Sequence, residues 1–197
     1  MTKIIGMRKY LGFVACILIL SCGESNKHIS FTSDYHFMAQ NQNNALDHQV
    51  GPVLLAYQEL IKGLYQNDTN YINQSTNGLV HLTDSLASLQ LNLDSNRQKI
   101  WTDGLGNLNA ELQGLQLADK VNGLEETKMS IHMCGLQLLS LLAQMGYKEH
   151  QVYIFTSENN NAEDGYVWLS LQKSSRDPFH SENRKEISAQ EVLQEIK

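Results

Sequence analysis

Apolar residues recur at alternating steps of three and four through most of this chain, and then the pattern breaks. Between Asp47 and Gln66, residues Val50, Val53, Leu54, Tyr57, Leu60, Ile61 and Leu64 share one face, the period of an amphipathic helix in a bundle. Asn67-Asp68-Thr69-Asn70 supplies a turn and a cap, after which Ile72, Leu79, Val80, Leu82, Leu86 and Leu89 mark the inward side of a second helix. A third opens with Ser95-Asn96-Arg97-Gln98, which reads as a capping box, and carries Trp101, Leu105, Leu108, Leu112 and Leu115 inward. Gly104, Gly106 and Gly114 lie inside it, each costing about 1 kcal/mol against Ala in an exposed helix interior. Either this helix leans on its neighbours or its glycines permit close helix contact. The fourth begins within Asn122 to Glu125 and ends near Gly146. Leu124, Ile131, Cys134, Leu138, Leu141, Leu142 and Met145 form its core stripe, widened by Met129, Met133, Leu136 and Leu139.

After Gly146 the period changes. Gln151-Val152-Tyr153-Ile154-Phe155 and Tyr166-Val167-Trp168-Leu169-Ser170-Leu171 are aromatic and β-branched, as strands are, with an Asn-rich loop and Asp164-Gly165 between them. A two-stranded hairpin is marginal alone, so it must pack on the helices. Arg176-Asp177-Pro178-Phe179 makes a turn, and Ser188 to Glu191 caps a short last helix carrying Val192, Leu193 and Ile196. The expected fold is mainly α: an up-down four-helix bundle with a small C-terminal β-hairpin and a short final helix.

The first residues follow a different logic. Lys3, Arg8 and Lys9 precede an apolar stretch from Tyr10 to Leu20, which closes on Ser21-Cys22. A basic start, a short apolar core and a small residue before the cleavage point make a secretory signal, too short to span a bilayer. Its Ser-Cys ending resembles the lipobox of bacterial lipoproteins, which implies that Cys22 becomes the lipidated N-terminus. The chain then divides into a signal over 1–21, a flexible tether over 22–45 and a helical-bundle domain with its hairpin over 46–197. The tether is rich in Asn, Gln, Ser and His, and about 20 such residues span roughly 25 Å. Gly23-Glu24 carries no inner-membrane retention signal of the enterobacterial kind, which points to the outer membrane, facing the periplasm.

Composition narrows the function classes. Of 197 residues, 42% are hydrophobic, enough for one domain with its own core. A formal net charge of -6, with no basic stripe, argues against nucleic acid and leaves membrane anchoring to the lipid. Cys16 leaves with the signal and Cys22 is acylated, so Cys134 remains as a single thiol in an apolar run, where a small buried hydrophobe is expected. The histidines (His28, His36, His48, His81, His132, His150, His180) show no HxH, HxxxH or HExxH spacing. His180-Ser181-Glu182 lacks the elbow of a serine nucleophile and reads as a solvated loop. Nothing else in the chain reads as an enzyme motif or as a cofactor site.

Val152-Tyr153-Ile154, the Asn-rich loop, Trp168-Leu169-Ser170, Arg176-Asp177-Pro178-Phe179 and the distal Glu191-Val192 resemble the bacterial domain of unknown function 3347. The resemblance is loose over the bundle and more specific from about Val152 to Ile196. It implies an exported protein of the Bacteroidetes kind, in a family also appended to periplasmic adaptor subunits of heavy-metal efflux systems. Members typically carry Cys-Pro-Met after the first strand and a Met near a second Cys, soft ligands suited to Cu(I) or Ag(I). This chain departs from them, with Thr156-Ser157, Glu158 and Asn159 at the first position and Glu186-Ile187-Ser188-Ala189 around the second. Hydroxyls do not replace thiolates for Cu(I), so the family's ligands do not transfer. The expectation is a non-enzymatic accessory or binding module tied to metal efflux or envelope stress, with an envelope or efflux protein as partner.

A different class remains open. Met129, His132 and Met133 share a face of the fourth helix, and a thioether–imidazole–thioether set suits Cu(I), which makes a direct metal carrier the alternative. For an interaction surface, Trp168 and Asp177, Pro178 and Phe179 are the candidates, although a Trp between strand and bundle is more often a packing anchor.

Overall fold

The computed structural model describes residues 44–121, 123–157, 165–180 and 186–193; the signal, Cys22 and nearly all of the expected tether lie outside them. Four helices come first: α1 (Asn44–Gln66), α2 (Thr69–Ala87), α3 (Ser95–Val121) and α4 (Leu124–Met145). Five short strands follow: β1 (Val152–Ser157), β2 (Tyr166–Ser170), β3 (Ser174–Arg176), β4 (Glu186–Ser188) and β5 (Glu191–Leu193). The mainly-α bundle with a C-terminal hairpin is the observed architecture.

The helix ends have local causes. Asp68 caps α2, its carboxylate accepting from the Tyr71 N–H at 3.0 Å. α1 stops because Asn67 turns left-handed (φ 53°), so that Asn67 N–H reaches Leu64 C=O and Asp68 N–H reaches Gly63 C=O. Gly146 ends α4 with the same pair of bonds, from Gly146 to Ala143 and from Tyr147 to Leu142. At α3 the expected capping box is displaced by one residue. Asp94 is the cap, accepting from Arg97 N–H at 2.9 Å, while the Gln98 side chain donates instead to Leu89 C=O. An ionised carboxylate one residue earlier offers a stronger acceptor to the open N–H groups than the Ser95 hydroxyl. α1 begins at Asn44, slightly inside the stretch expected as tether.

The inward stripes of α1 and α3 are buried at every expected position. α2 turns a mixed face inward: Ile72, Leu79 and Leu86 alternate with buried Thr76 and Thr83, whose hydroxyls donate back to Ile72 and Leu79 carbonyls. Opposite them on α3, the Asn109 amide lies 2.9 Å from both Thr83 Oγ and Asp84 Oδ1, so a satisfied polar seam runs between α2 and α3. Leu89 and Leu124, expected inward, are exposed.

The C-terminal part is more strand-rich than its sequence pattern indicates. β2 pairs antiparallel with β1, and β1 pairs antiparallel with β5, giving a three-stranded sheet in the order β2-β1-β5. β3 and β4 form a second, two-stranded ribbon. The short final helix expected from Ser188 onward is therefore corrected: Glu186–Ser188 and Glu191–Leu193 are strands. Three residues cannot reveal a period, and β1 offered an edge that Gln190 grips with both its side chain and its backbone. Gln190 Oε1 accepts from Thr156 N–H at 3.0 Å, and its backbone N–H donates to Ile154 C=O at 3.0 Å. At the other end of the hairpin, Gly165 (φ 69°) is required, because a Cβ there would fall 2.0 Å from the Ser157 carbonyl oxygen.

Sheet and bundle share one core. β2 lies against α4 and also touches α1, so the sheet enters the seam where those two helices meet only slightly. Its outer edge is closed by side chains. Gln58 of α1 donates to Leu169 C=O at 3.0 Å, and Val167 N–H donates to His132 Nδ1 of α4 at 2.8 Å. Trp168 stacks on Phe155 with ring centroids 5.2 Å apart, and Phe179 packs beneath both Trp168 and Tyr166.

Candidate functional site

The densest convergence of chemically capable side chains lies where β1 ends against the turn after β3. Ser157 closes β1, and its hydroxyl donates to Asp177 Oδ2. His180 Nδ1 lies 2.8 Å from Ser157 Oγ and 3.0 Å from the same Asp177 oxygen. Asp177 Oδ1 accepts backbone N–H groups of Phe179 at 2.9 Å and His180 at 3.3 Å. Ser157 is 3% exposed and Asp177 8%, whereas His180 stays partly open to solvent. Pro178 fixes the backbone between them, so Asp-Pro-Phe-His folds into a turn that wraps its own carboxylate.

Ser, His and Asp in contact invite comparison with a hydrolytic triad, and the wiring differs. In a triad the imidazole meets the carboxylate through one nitrogen and the hydroxyl through the other, so that the hydroxyl proton can pass to it. Here Nδ1 faces both groups, and the hydroxyl proton is already given to the carboxylate. The arrangement satisfies a buried carboxylate with four donors and pins the 177–180 turn to the end of β1.

A second cluster adjoins it. The Tyr166 ring stacks on Phe179 at 4.5 Å and meets the His132 ring edge-on at 5.9 Å, with the His180 ring 6.5 Å away on a tilted plane. Its hydroxyl lies 3.3 Å from Glu125, which pairs with Lys128 at 2.9 Å. Burial pushes the Tyr166 phenol up, helped by the Glu125 charge, and the Lys128 ammonium holds the Glu125 carboxyl below its usual range.

Met129, His132 and Met133, the alternative Cu(I) set, all lie on α4. Met129 is 41% exposed, while His132 and Met133 are half-buried on the same helix. Because His132 Nδ1 accepts the Val167 N–H, the neutral ring carries its proton on Nε2, and the lone pair a metal would need is engaged in the fold. Among the described residues, no group of three or more His, Cys, Asp or Glu side chains is placed to hold a metal ion.

The proposed surface residues are corrected by their burial. Trp168, Asp177, Pro178 and Phe179 are all interior, where they join the sheet to its turn and to α4. Cys134 is a buried free thiol pushed up to about 12 by its apolar surroundings. His48 pairs with Glu149 at 3.2 Å, and His81 and His150 are exposed. Cys16, Cys22, His28, His36 and Ser181-Glu182 lie outside the described residues. Sequence reasoning missed the link between Ser157 and the Asp177–His180 turn. The available signal was Asp-Pro opening a turn, which marks a carboxylate that bonds its own backbone, but the distant donor was visible only after folding.

No helix among the described residues is long and apolar enough to cross a membrane. In comparison with known proteins, no family model, no curated protein and no solved structure matches this chain.

Proposed function

We propose that this chain is a bacterial lipoprotein, tethered through Cys22 and facing the periplasm, whose helical domain is a non-enzymatic accessory module for heavy-metal efflux or envelope stress. The short apolar leader ending on Ser21-Cys22, followed by a polar stretch, supports the lipid anchor. The resemblance to the bacterial domain of unknown function 3347 supports the link to copper or silver efflux. One structural observation carries the non-catalytic, metal-free reading. Ser157, within the Thr156-Ser157 pair that stands where that family has its first cysteine, is committed to Asp177 and His180 as part of the scaffold. A hydroxyl in that role supports packing and offers nothing to a soft cation.

The test expresses the full chain with its own leader in a Gram-negative host, beside Cys22→Ser. Wild type is expected in the outer-membrane fraction, with an intact mass that starts at residue 22 and includes lipid; Cys22→Ser is expected to be soluble. Cross-linking in intact cells is expected to capture an envelope protein. An unmodified start, or a monomer alone after cross-linking, overturns the proposal. Stoichiometric Cu(I) lost in Met129→Leu/Met133→Leu replaces it with the metal carrier.

A further inference from the structure

We propose that His132 is a pH-sensitive latch that fastens the sheet to the bundle. β2 is the outer strand of its sheet, so Val167 presents its N–H away from β1 and has no strand there to pair with. Val167 is fully buried, and a buried N–H without an acceptor is costly. His132 Nδ1 supplies that acceptor at 2.8 Å. One turn further along α4, Gly135 brings the helix so close that a Cβ there would lie 3.0 Å from Val167 C=O and 2.8 Å from the Tyr57 hydroxyl. The strand edge is thus pressed onto α4, with the imidazole filling the place of a neighbouring strand.

An imidazole nitrogen accepts only while unprotonated. Once His132 takes up a second proton, two N–H groups face each other across the same gap and the Val167 donor loses its partner. The latch therefore holds at neutral pH and releases as the pH falls through the range in which histidine charges, about 6.5 for a free side chain. The second tie, from Gln58 to Leu169 C=O, is an amide and does not titrate, so acid removes one of two edge contacts.

The charged and titratable groups nearby come from the surrounding elements. On α4 itself, Glu125 is paired with Lys128, and Cys134 is a buried thiol. β2 contributes Tyr166, α1 contributes Tyr57, and α3 contributes Glu111, whose charge acts on Cys134. From the turn come Asp177 and His180, whose Nδ1 lies 3.0 Å from the Asp177 carboxylate.

The test is amide hydrogen exchange on the full chain in mild detergent from about pH 7.5 to about pH 5, comparing wild type with His132→Asn. The Asn side-chain oxygen takes the position of Nδ1 and does not titrate. After correction for intrinsic exchange, β2 amides of wild type are expected to lose about tenfold or more protection relative to His132→Asn on acidification, with α2 and α3 amides unchanged. Equal pH dependence in the two proteins overturns the latch. Imidazole nitrogen NMR on wild type gives an independent readout if the variant folds poorly: protonation of Nδ1 with Val167 still protected also overturns it. Neither outcome bears on lipid attachment at Cys22, so this proposal and the functional one fail separately.

Discussion

Tyr57 brings its hydroxyl into the junction of α1, α4 and β2, where it is buried with no hydrogen-bond partner among the described residues. The Leu169 backbone lies near it without completing a bond, and burial drives the phenol far above its ordinary value. An unpaired buried hydroxyl costs stability, so Tyr57→Phe is expected to be neutral or to stabilise by up to about 1 kcal/mol in urea denaturation at pH 7.5. The pH dependence follows from the same burial. Unfolded, Tyr57 releases its proton above about pH 10 and Cys134 above about pH 8.5, whereas the folded chain keeps both protonated. The unfolded state then binds fewer protons, so stability falls as the pH rises, by up to about 1.4 kcal/mol per pH unit for each group. Tyr57→Phe should flatten that decline above about pH 10 and leave the Cys134 contribution below it. A loss of more than about 1 kcal/mol at pH 7.5 would show that the hydroxyl is bonded after all.

Among the helices, legibility tracked periodicity. α1 and α3 carry unbroken apolar stripes, and every position read as inward is buried. α2 was harder, because Thr76, Thr83 and the facing Asn109 are polar residues whose partners come from their own backbone and from the neighbouring helix. Such residues look solvent-facing until the neighbour is known. The glycines of α3 show the same dependence. A Cβ at Gly104 would lie 2.7 Å from Leu141 Cδ1 of α4, so this glycine serves close helix contact. Gly106 and Gly114 face open space and only weaken the helix. Gly106→Ala and Gly114→Ala are each expected to stabilise by about 0.5–1 kcal/mol, while Gly104→Ala should gain nothing or lose stability, since its helix preference is offset by overpacking against Leu141. Thermal and urea midpoints of the three variants check this ranking. A Gly104→Ala gain equal to the other two would mean that Leu141 moves aside freely.

On the scale of the whole molecule, the question is whether helices and sheet form one cooperative unit. The strand character of β1 and β2 was legible, because runs of aromatic and β-branched residues report a strand wherever it packs. The strands β3 to β5 were not, since three-residue elements are defined by the edge they join and carry no period of their own. The candidate site was partly legible for the same reason: the Asp177–Phe179 turn stood out locally, and its bond to Ser157 is set by the pairing of distant segments. The assembled core contains a tryptophan on each side, Trp101 in the bundle and Trp168 in the sheet, both fully buried in one continuous cluster. Trp101 donates to Leu86 C=O at 3.2 Å, tying α3 to α2, whereas Trp168 stacks on Phe155 within the sheet. Trp168→Phe leaves fluorescence to report the bundle, and Trp101→Phe leaves it to report the sheet. If the sheet is locked into the α1–α4 seam by Gln58, His132 and the shared core, fluorescence and far-UV circular dichroism should give coincident urea transitions within each variant at pH 7.5. Each substitution shifts the midpoint of its own protein, so the comparison is made within a variant. A Trp168 transition that precedes loss of helical signal would mean that the sheet is a separate unit, resting on the bundle without sharing its stability.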